Sequence, residues 1–489
     1  MSRLSAPAAW APARVRPSTL RHLGVVGALV ALTVLVLLLA VGFPPFTRPY
    51  HPDNIWALSL GANPIDGYFT DPPDGIYRPL TYLTLWAQYQ IGGFDPSAYF
   101  GFNIALWIAC GCVVYVLGYA LGRSQLAAGV AAGLLLIDDR GMTAIVWIPE
   151  RATTIACVLG GIALLLAYRL PRGGRPRAAA LAGIVALLFG AALSKEYGVA
   201  FAAATAAVGL VTRPHDRAEL VAVALAAMTV YAGMRALLPS DAALAATGVA
   251  GSNHGALEIC EYIGFLGHGE NVCYADLDLV DRLLRWGWNA GATLVATFLP
   301  PLFNGQGALL LPDVLAGPLG EAETYPGFSI PSLILPLLVS ACAIVALRRY
   351  PRAVLPLFVL IVANAALNFL LFRERNQVVG MAGLYAAAAV GLPVVASESL
   401  ARARAFVRRS HSLAGARARA ALPLAALSIV AGAMVWRATD FHDAVAGAEA
   451  NYAGRDPCPS LRGVRPDVAE QLRSALGSGA SGCELTESR

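Results

Sequence analysis

The sequence predicts an all-α polytopic membrane protein with about 11 transmembrane helices, and about 13 as the fallback count. Three observations carry that prediction. The 489 residues are 57% hydrophobic and only 14% charged, against about 25% charged in soluble domains, and mean hydropathy is +0.60. The apolar residues arrive in blocks of about 17–22, the length that crosses a ~30 Å hydrocarbon layer as helix. Basic side chains sit in short clusters between the blocks, the pattern of cytoplasmic loops. The net charge of +5 is therefore a topology signal, and no nucleic-acid partner is expected. The blocks lack the period-two alternation of a barrel strand.

In chain order the blocks fall at 23–43, 100–121, 125–137, 152–169, 178–193, 197–212, 218–238, 286–303, 331–347, 353–372, 377–396 and 420–436. Residues 1–22 are basic, with Arg3, Arg14, Arg16 and Arg21, which sets the N-terminus in the cytoplasm. The first block is longer than a signal-peptide core and lacks a clear small-residue cleavage site, so an uncleaved span is expected. Alternation then places the basic segments 169–177, 213–217, 348–352 and 401–419 on the cytoplasmic side, provided 286–320 returns to the side it left. The membrane part is 23–436. Loops 44–99, 138–151, 239–285 and 304–330, with the tail 437–489, fall on the extracytoplasmic face, together with the C-terminus. Long loops are usually functional or disordered, so the chemistry is expected there, facing outward from a bacterial plasma membrane.

Cys260, Cys273, Cys458 and Cys483 lie in the outer segments, two in each. Bridges within 260–273 and within 458–483 suit an oxidising compartment; the alternative is four free thiols. No cysteine or histidine spacing matches a zinc site, and nucleotide-binding, hydrolase and metalloprotease motifs are absent.

The first outer loop carries Asp53, Asp66, Asp71 and Asp74. The last three sit beside Gly and Pro and read as turn residues. Asp53 stands nearest the membrane, beside Ile55 and Trp56, where partial desolvation raises a carboxyl pKa and suits a general base. The stretch GAALSKEYGVAF (190–201) poses a separate question. Lys195 is the only lysine among 36 basic residues, next to Glu196, between two apolar runs. The run 178–212 would be about 52 Å long as one helix, so two helices must meet at Ser194–Glu196. That joint lies at the membrane boundary, the level of a lipid-linked phosphate.

Four motifs, in order, carry a family resemblance. They are Tyr77-Arg78-Pro79-Leu80 followed by Gly93-Phe94-Asp95-Pro96, Tyr99 and Asn103; Trp147-Ile148 with Arg151-Ala152; Ser194-Lys195-Glu196; and Glu374-Arg375. Together they resemble the GT-C superfamily of polytopic glycosyltransferases, in its protein O-mannosyltransferase-like and TMTC-like branch. The family's acidic pair is here Asp53-Asn54, the aspartate expected after Arg151-Ala152 is Thr153, and the family's second-loop acid falls near Thr143, with Asp138 and Asp139 close by. The resemblance implies transfer of a sugar from a polyprenyl-phosphate donor to a hydroxyl of a glycan or protein acceptor, with the donor chain lying in membrane lipid between the spans. It implies Asp53 as catalytic base, and Arg78, Arg151, Lys195, Glu196, Arg373, Arg375, Asp138 and Asp139 as the donor-phosphate and substrate site. Cations there would stabilise the leaving phosphate. No metal site is assigned and no cofactor is required, although Asp53, Asp138 and Asp139 are the residues a divalent metal would use. Two other readings compete: an O-antigen-ligase-like glycan transferase using the large loop 239–285, and a non-enzymatic lipid-linked sugar flippase or transporter.

Overall fold

The computed structural model describes residues 17–41, 52–63, 65, 67–70, 77–138, 144–145, 147–236, 260–265, 268–273, 279–298, 330–367, 378–409 and 471. Asp66, Asp71, Asp74, Asp139, Arg373, Arg375, Cys458 and Cys483 lie outside them, as do residues 304–329 and all of the tail 437–489 but residue 471.

Helix α1 spans Pro17–Val41. Three helices follow: α2 (Pro52–Gly61), α3 (Gly67–Thr70) and α4 (Pro79–Gly92). Proline at the first helical position starts α4, and Gly93 ends it at φ 61°, a left-handed backbone that only glycine adopts freely. Asp95 caps α5 (Pro96–Gly122), accepting from Ser97 N at 3.0 Å. Ser124 caps α6 (Gln125–Leu136) in the same way, accepting from Ala127 N at 3.2 Å. Such caps satisfy backbone donors that a helix end leaves open. A 3₁₀ turn, Ile148–Glu150, runs into α7 (Arg151–Tyr168). Next come α8 (Gly174–Ser194) and α9 (Gly198–Ala207), which continues as a π-helical turn, Val208–Thr212. After α10 (Arg217–Ala236) a hairpin, β1 (Cys260–Phe265) and β2 (His268–Cys273), precedes α11 (Leu279–Phe298). The chain ends its described bundle with α12 (Ile330–Arg349), α13 (Pro351–Leu367) and α14 (Val378–Arg409).

The core is built around α14, whose first fourteen residues are all buried and which packs on α5, α6, α12 and α13. The approach to α12 is close: a Cβ on Gly391 would stand 1.8 Å from the Cys342 carbonyl oxygen. Small residues at such crossings let apolar helices meet where no hydrophobic effect drives them together. On the other side α7 packs between α5 and α8, and α8 packs against α10. An apolar cavity of about 410 Å³ opens between α5 and α7, lined by Ala105, Ala109, Cys112, Val158, Gly161 and Leu165 among others.

The expected count of about 11 spans, or 13, is not what the structure shows. Among the described residues five helices are long and apolar enough to cross a membrane: Pro96–Gly122, Ile148–Tyr168, Gly174–Ser194, Pro214–Ala236 and Val378–Ser399. Four further apolar helices, Leu20–Leu35, Gln125–Leu136, Gly198–Thr212 and Pro351–Leu367, are shorter. The reason is that apolar run length is not helix length. Helix α6, for example, has 12 residues, about 18 Å at 1.5 Å per residue, well short of a ~30 Å layer. Helix α11 is amphipathic, with Asp281, Arg282 and Arg285 near its start. The helices also do not establish the expected cytoplasmic N-terminus and extracytoplasmic C-terminus.

Candidate functional site

At one end of α7, α8 and α9 the apolar helices terminate in a cluster of charges. The joint between α8 and α9 creates it. Lys195 leaves the helix in an extended conformation, φ −161° and ψ 151°, while its N–H still donates to Ala191 O at 3.0 Å. Gly198 N then donates to Lys195 O at 3.0 Å and starts α9. The turn is tight enough that a Cβ on Gly198 would stand 2.3 Å from Ala192 N. Two consecutive charges thereby diverge to different partners.

Lys195 turns inward. Its side chain is 9% exposed, its Nζ donates to Thr153 Oγ1 at 2.6 Å, and it pairs with Glu150 Oε1 at 3.4 Å. Glu150 is 1% exposed, and the ammonium also lies 4.8 Å from the Tyr197 ring centroid. Glu196 turns toward α4, and its Oε2 accepts from Arg78 Nη2 at 3.2 Å. A further bond ties the same elements: Thr81 Oγ1 donates to Ser194 O at 3.0 Å.

Arg78 is the more accessible cation, 25% exposed, with Glu196 at 40%. Its buried Nε has no acceptor among the described residues. Desolvation lowers the Arg78 pKa, but the charges of Glu196, Tyr82 and Glu150 outweigh it and hold the value above the ordinary one. For Glu196 burial pushes the carboxyl up, while Arg78, its own backbone N–H, Lys195 and Arg235 pull it below the usual range. Exposed Arg235, near the end of α10, belongs electrostatically to this cluster. Burial raises the phenol of neighbouring Tyr77, and Arg235 opposes it.

Arg151 is wholly buried. Its Nε donates to Ile148 O at 3.2 Å, Nη2 donates to Tyr99 O at 3.2 Å, and Nη1 donates to Gln88 Oε1. The guanidinium lies over the Tyr99 and Phe102 rings at 5.4 and 5.3 Å. It clamps α4 and α5 to the start of α7. Asp138, also buried, follows α6 and accepts from Tyr385 OH of α14 at 2.7 Å.

Asp53 lies in the first turn of α2. The Asn54 side chain, 1% exposed, accepts from Ile148 N at 2.6 Å. That bond ties the start of α2 to the 3₁₀ turn that carries Glu150 and leads into Arg151. The structure therefore joins Arg78, Lys195, Glu196 and Arg151 through α4, α7 and the α8–α9 joint, and anchors the helix of Asp53 beside them. Glu150, Thr153 and Gln88 were not read as site residues from the sequence. The signal for Glu150 was available: a lone lysine in an apolar setting needs a carboxylate, and Glu150 adjoins a motif arginine. No group of three His, Cys, Asp or Glu positioned for a metal occurs among the described residues.

Fold and site define an integral membrane protein whose helices end in a partly buried cluster of charges. No family model matches the chain, and no curated protein matches it. The fold is similar to the archaeal oligosaccharyltransferase AglB from Archaeoglobus fulgidus in complex with an inhibitory peptide and a dolichol-phosphate. The TM-score is 0.51 at 14% identity, over 96% of this chain and 61% of that one. The Archaeoglobus fulgidus oligosaccharyltransferase tethered through a disulfide to an acceptor peptide with the NVT sequon gives TM-score 0.51 and 14% identity, over 96% and 59%. The chain thus spans about three fifths of the length of these structures. At 14% identity the likeness is one of fold.

Proposed function

We propose that this protein transfers a sugar or glycan from a polyprenyl-phosphate-linked donor to a glycan or protein acceptor, on the outward face of a bacterial plasma membrane. The observation that carries the reading is an accessible cation at the helix ends. Arg78 is 25% exposed, Glu196 holds its Nη2, and its Nε has no acceptor among the described residues. Such a cation at the end of membrane helices suits a lipid phosphate, which gains charge as the sugar leaves. Fixed cations aimed at developing charge are an effective form of transition-state stabilisation, and arginine presents a fork that fits phosphate.

In the proposed reaction the acceptor oxygen attacks the anomeric carbon, the bond from that carbon to the phosphate oxygen breaks, and the electron pair leaves on the polyprenyl phosphate. Asp53 takes the acceptor proton. Arg78 contacts the phosphate, and Glu196 holds Arg78 in place. Lys195 and Glu150 form the base of the pocket, and Arg151 sets the start of α7. Asp138 shapes the neighbouring wall through Tyr385. Arg373, Arg375 and Asp139 would complete the donor site. The carrier chain would run along the apolar cavity between α5 and α7. Its lining residues Ala105 and Val158 follow Phe102 and Arg151 by three and seven positions, so they share those residues' helix faces.

The O-mannosyltransferase-like branch rests on the sequence motifs alone. A bridge between Cys260 and Cys273 rests on the hairpin register, which sets them opposite one another. Directly opposed antiparallel residues have Cα atoms about 4.5–5.5 Å apart, within the span of a disulfide.

The test uses purified protein in liposomes, a radiolabelled polyprenyl-phosphate sugar and candidate acceptors. Transfer should be lost in Asp53→Asn and sharply reduced in Arg78→Ala, and Arg78→Lys should not restore it. Transfer that persists in Asp53→Asn sinks the proposed base. Sugar that crosses the bilayer without transfer favours a flippase.

A further inference from the structure

The opposite ends of α7 and α8 carry a different charge pattern. Three connections meet there: α7 to α8, the π-helical turn to α10, and α12 to α13. They are far apart in sequence, yet hydrogen bonds join them. Tyr168 OH donates to Ala353 O at 2.8 Å, Arg213 Nη1 donates to Tyr168 O at 3.4 Å, and the Thr212 hydroxyl donates to Arg352 O.

The acids of this face are already engaged. Arg177 donates to Asp216 Oδ1 at 2.8 Å and, through Nε, to Glu219 Oε2 at 2.9 Å. Arg213 Nε pairs with Asp216 Oδ2 at 2.6 Å. That leaves Arg169, Arg172 and Arg175 at the first connection, Arg217 at the second, and Arg348, Arg349 and Arg352 at the third. All seven are exposed, and none pairs with an acid among the described residues. Tyr350, between two of them, is 45% exposed. Just inside the arginines, Leu210 and Leu355 are exposed apolar side chains.

We propose that this three-loop face is a binding site for anionic phospholipid headgroups. Arginine forks take the phosphodiester, Tyr350 sits at the interface as aromatic anchors do, and the acyl chains run down past Leu210 and Leu355. Clusters of four to eight basic residues at the ends of membrane helices bind anionic headgroups. Topology alone asks for arginines near a membrane. It does not ask that three distant loops be bonded into one platform with their acids paired to Arg177 and Arg213. The apolar side chains beneath the charge select a lipid over a free anion.

The full-length protein is purified in mild detergent and given phosphatidylglycerol or phosphatidylcholine in mixed micelles, and retained lipid is counted by native mass spectrometry. Phosphatidylglycerol should be retained at least about tenfold over phosphatidylcholine. The triple variant Arg348→Gln, Arg349→Gln, Arg352→Gln should weaken retention about fivefold per arginine removed. The corresponding triple lysine variant should fall between, because it keeps charge without the fork. Equal retention of the two lipids overturns the proposal, as does wild-type retention in the glutamine variant. Displacement of the lipid by soluble glycerol 3-phosphate at equal concentration shows a free-anion site instead. If the glutamine variant does not fold, salt decides. Raising ionic strength from about 0.05 to about 0.5 M must release phosphatidylglycerol from the wild type, and unchanged retention refutes the site.

Discussion

Replacing Lys195 with methionine keeps most of the side chain's volume and removes its charge. Glu150 is then left 1% exposed with its partner gone, and Thr153 Oγ1 loses the ammonium 2.6 Å away. The gross attraction across 3.4 Å is about 5 kcal/mol at an effective dielectric of about 20. Desolvation of both ions offsets much of this, so the intact pair adds little net stability. Removing one member is different, because the other must stay charged without a partner or take up a proton. Such one-sided losses cost about 3–5 kcal/mol. Glu150→Gln should cost a similar amount. The double variant Lys195→Met, Glu150→Gln removes both charges, so it should be less destabilised than the two singles combined, by about 2–3 kcal/mol. Denaturant titration of the four proteins in one detergent measures the cycle. Singles that each cost under about 1 kcal/mol, or a double whose cost equals the sum of the singles, would refute a coupled buried pair.

Three further perturbations follow from the same pocket. Because the Glu196 carboxyl is held below its ordinary pKa, chiefly by Arg78 against the opposing effect of burial, its stabilising contribution is complete above the unfolded value and is lost as pH falls through the depressed folded value. An acid titration of thermal stability should therefore fall less steeply below about pH 4.5 in Glu196→Gln than in the wild type, and identical curves contradict the assignment. Asn54→Ala leaves the buried Ile148 N–H without its acceptor at 2.6 Å and should cost about 1–3 kcal/mol. Hydrogen exchange at Ile148 should rise with it, and an unprotected Ile148 amide in the wild type would contradict the bond. Gly198→Ala sets a methyl 2.3 Å from Ala192 N and 2.6 Å from Ala192 Cα, both backbone atoms with no rotamer to yield. It should destabilise the α8–α9 joint more than Gly173→Ala, where nothing lies within 4 Å, and equal melting temperatures for the two would refute the close approach.

Much of the helical architecture was legible in the sequence. The blocks at 100–121, 152–169, 178–193 and 218–238 each coincide with a long helix, because continuous apolar runs between arginine clusters have few other solutions in lipid. The joint at Ser194–Glu196 was also legible, since 35 apolar-rich residues cannot form one span. The span count was not, because short apolar runs such as 125–137 read the same whether they cross the bilayer or pack beside a helix that does. Within the pocket, Asp53-Asn54 looked like a damaged acidic pair. The structure gives Asn54 a use that a carboxylate could fill only by burying its charge, since the amide oxygen accepts from Ile148 N while staying neutral. Thr153 looked like a lost aspartate and is the hydroxyl that receives Lys195. Neither role has a sequence signature, because both depend on segments about 40–95 positions apart. The partner of Glu196 illustrates the same limit. That Arg78 donates to Glu196 depends on how α4 docks against α8.

The question posed by the lone lysine then has a steric answer. In 35 of 36 basic positions the chain uses arginine; those described at the arginine-rich end lie largely in the open, and buried Arg151 meets three separate acceptors, Ile148 O, Tyr99 O and Gln88 Oε1, around its fork. Lys195 does not have that space. Its ammonium is bounded by Thr153 at 2.6 Å, Glu150 at 3.4 Å and the Tyr197 ring at 4.8 Å, within a side chain only 9% exposed. A compact point charge fits these three partners at once, whereas a planar fork needs two acceptors side by side. Lys195→Arg should therefore destabilise the protein by about 1–3 kcal/mol through overpacking while conserving charge. It should also reduce transfer, as the base of the pocket is pushed toward the substrate. An arginine variant with wild-type stability and activity would mean that the position demands only positive charge, and the lysine would lose its structural reason.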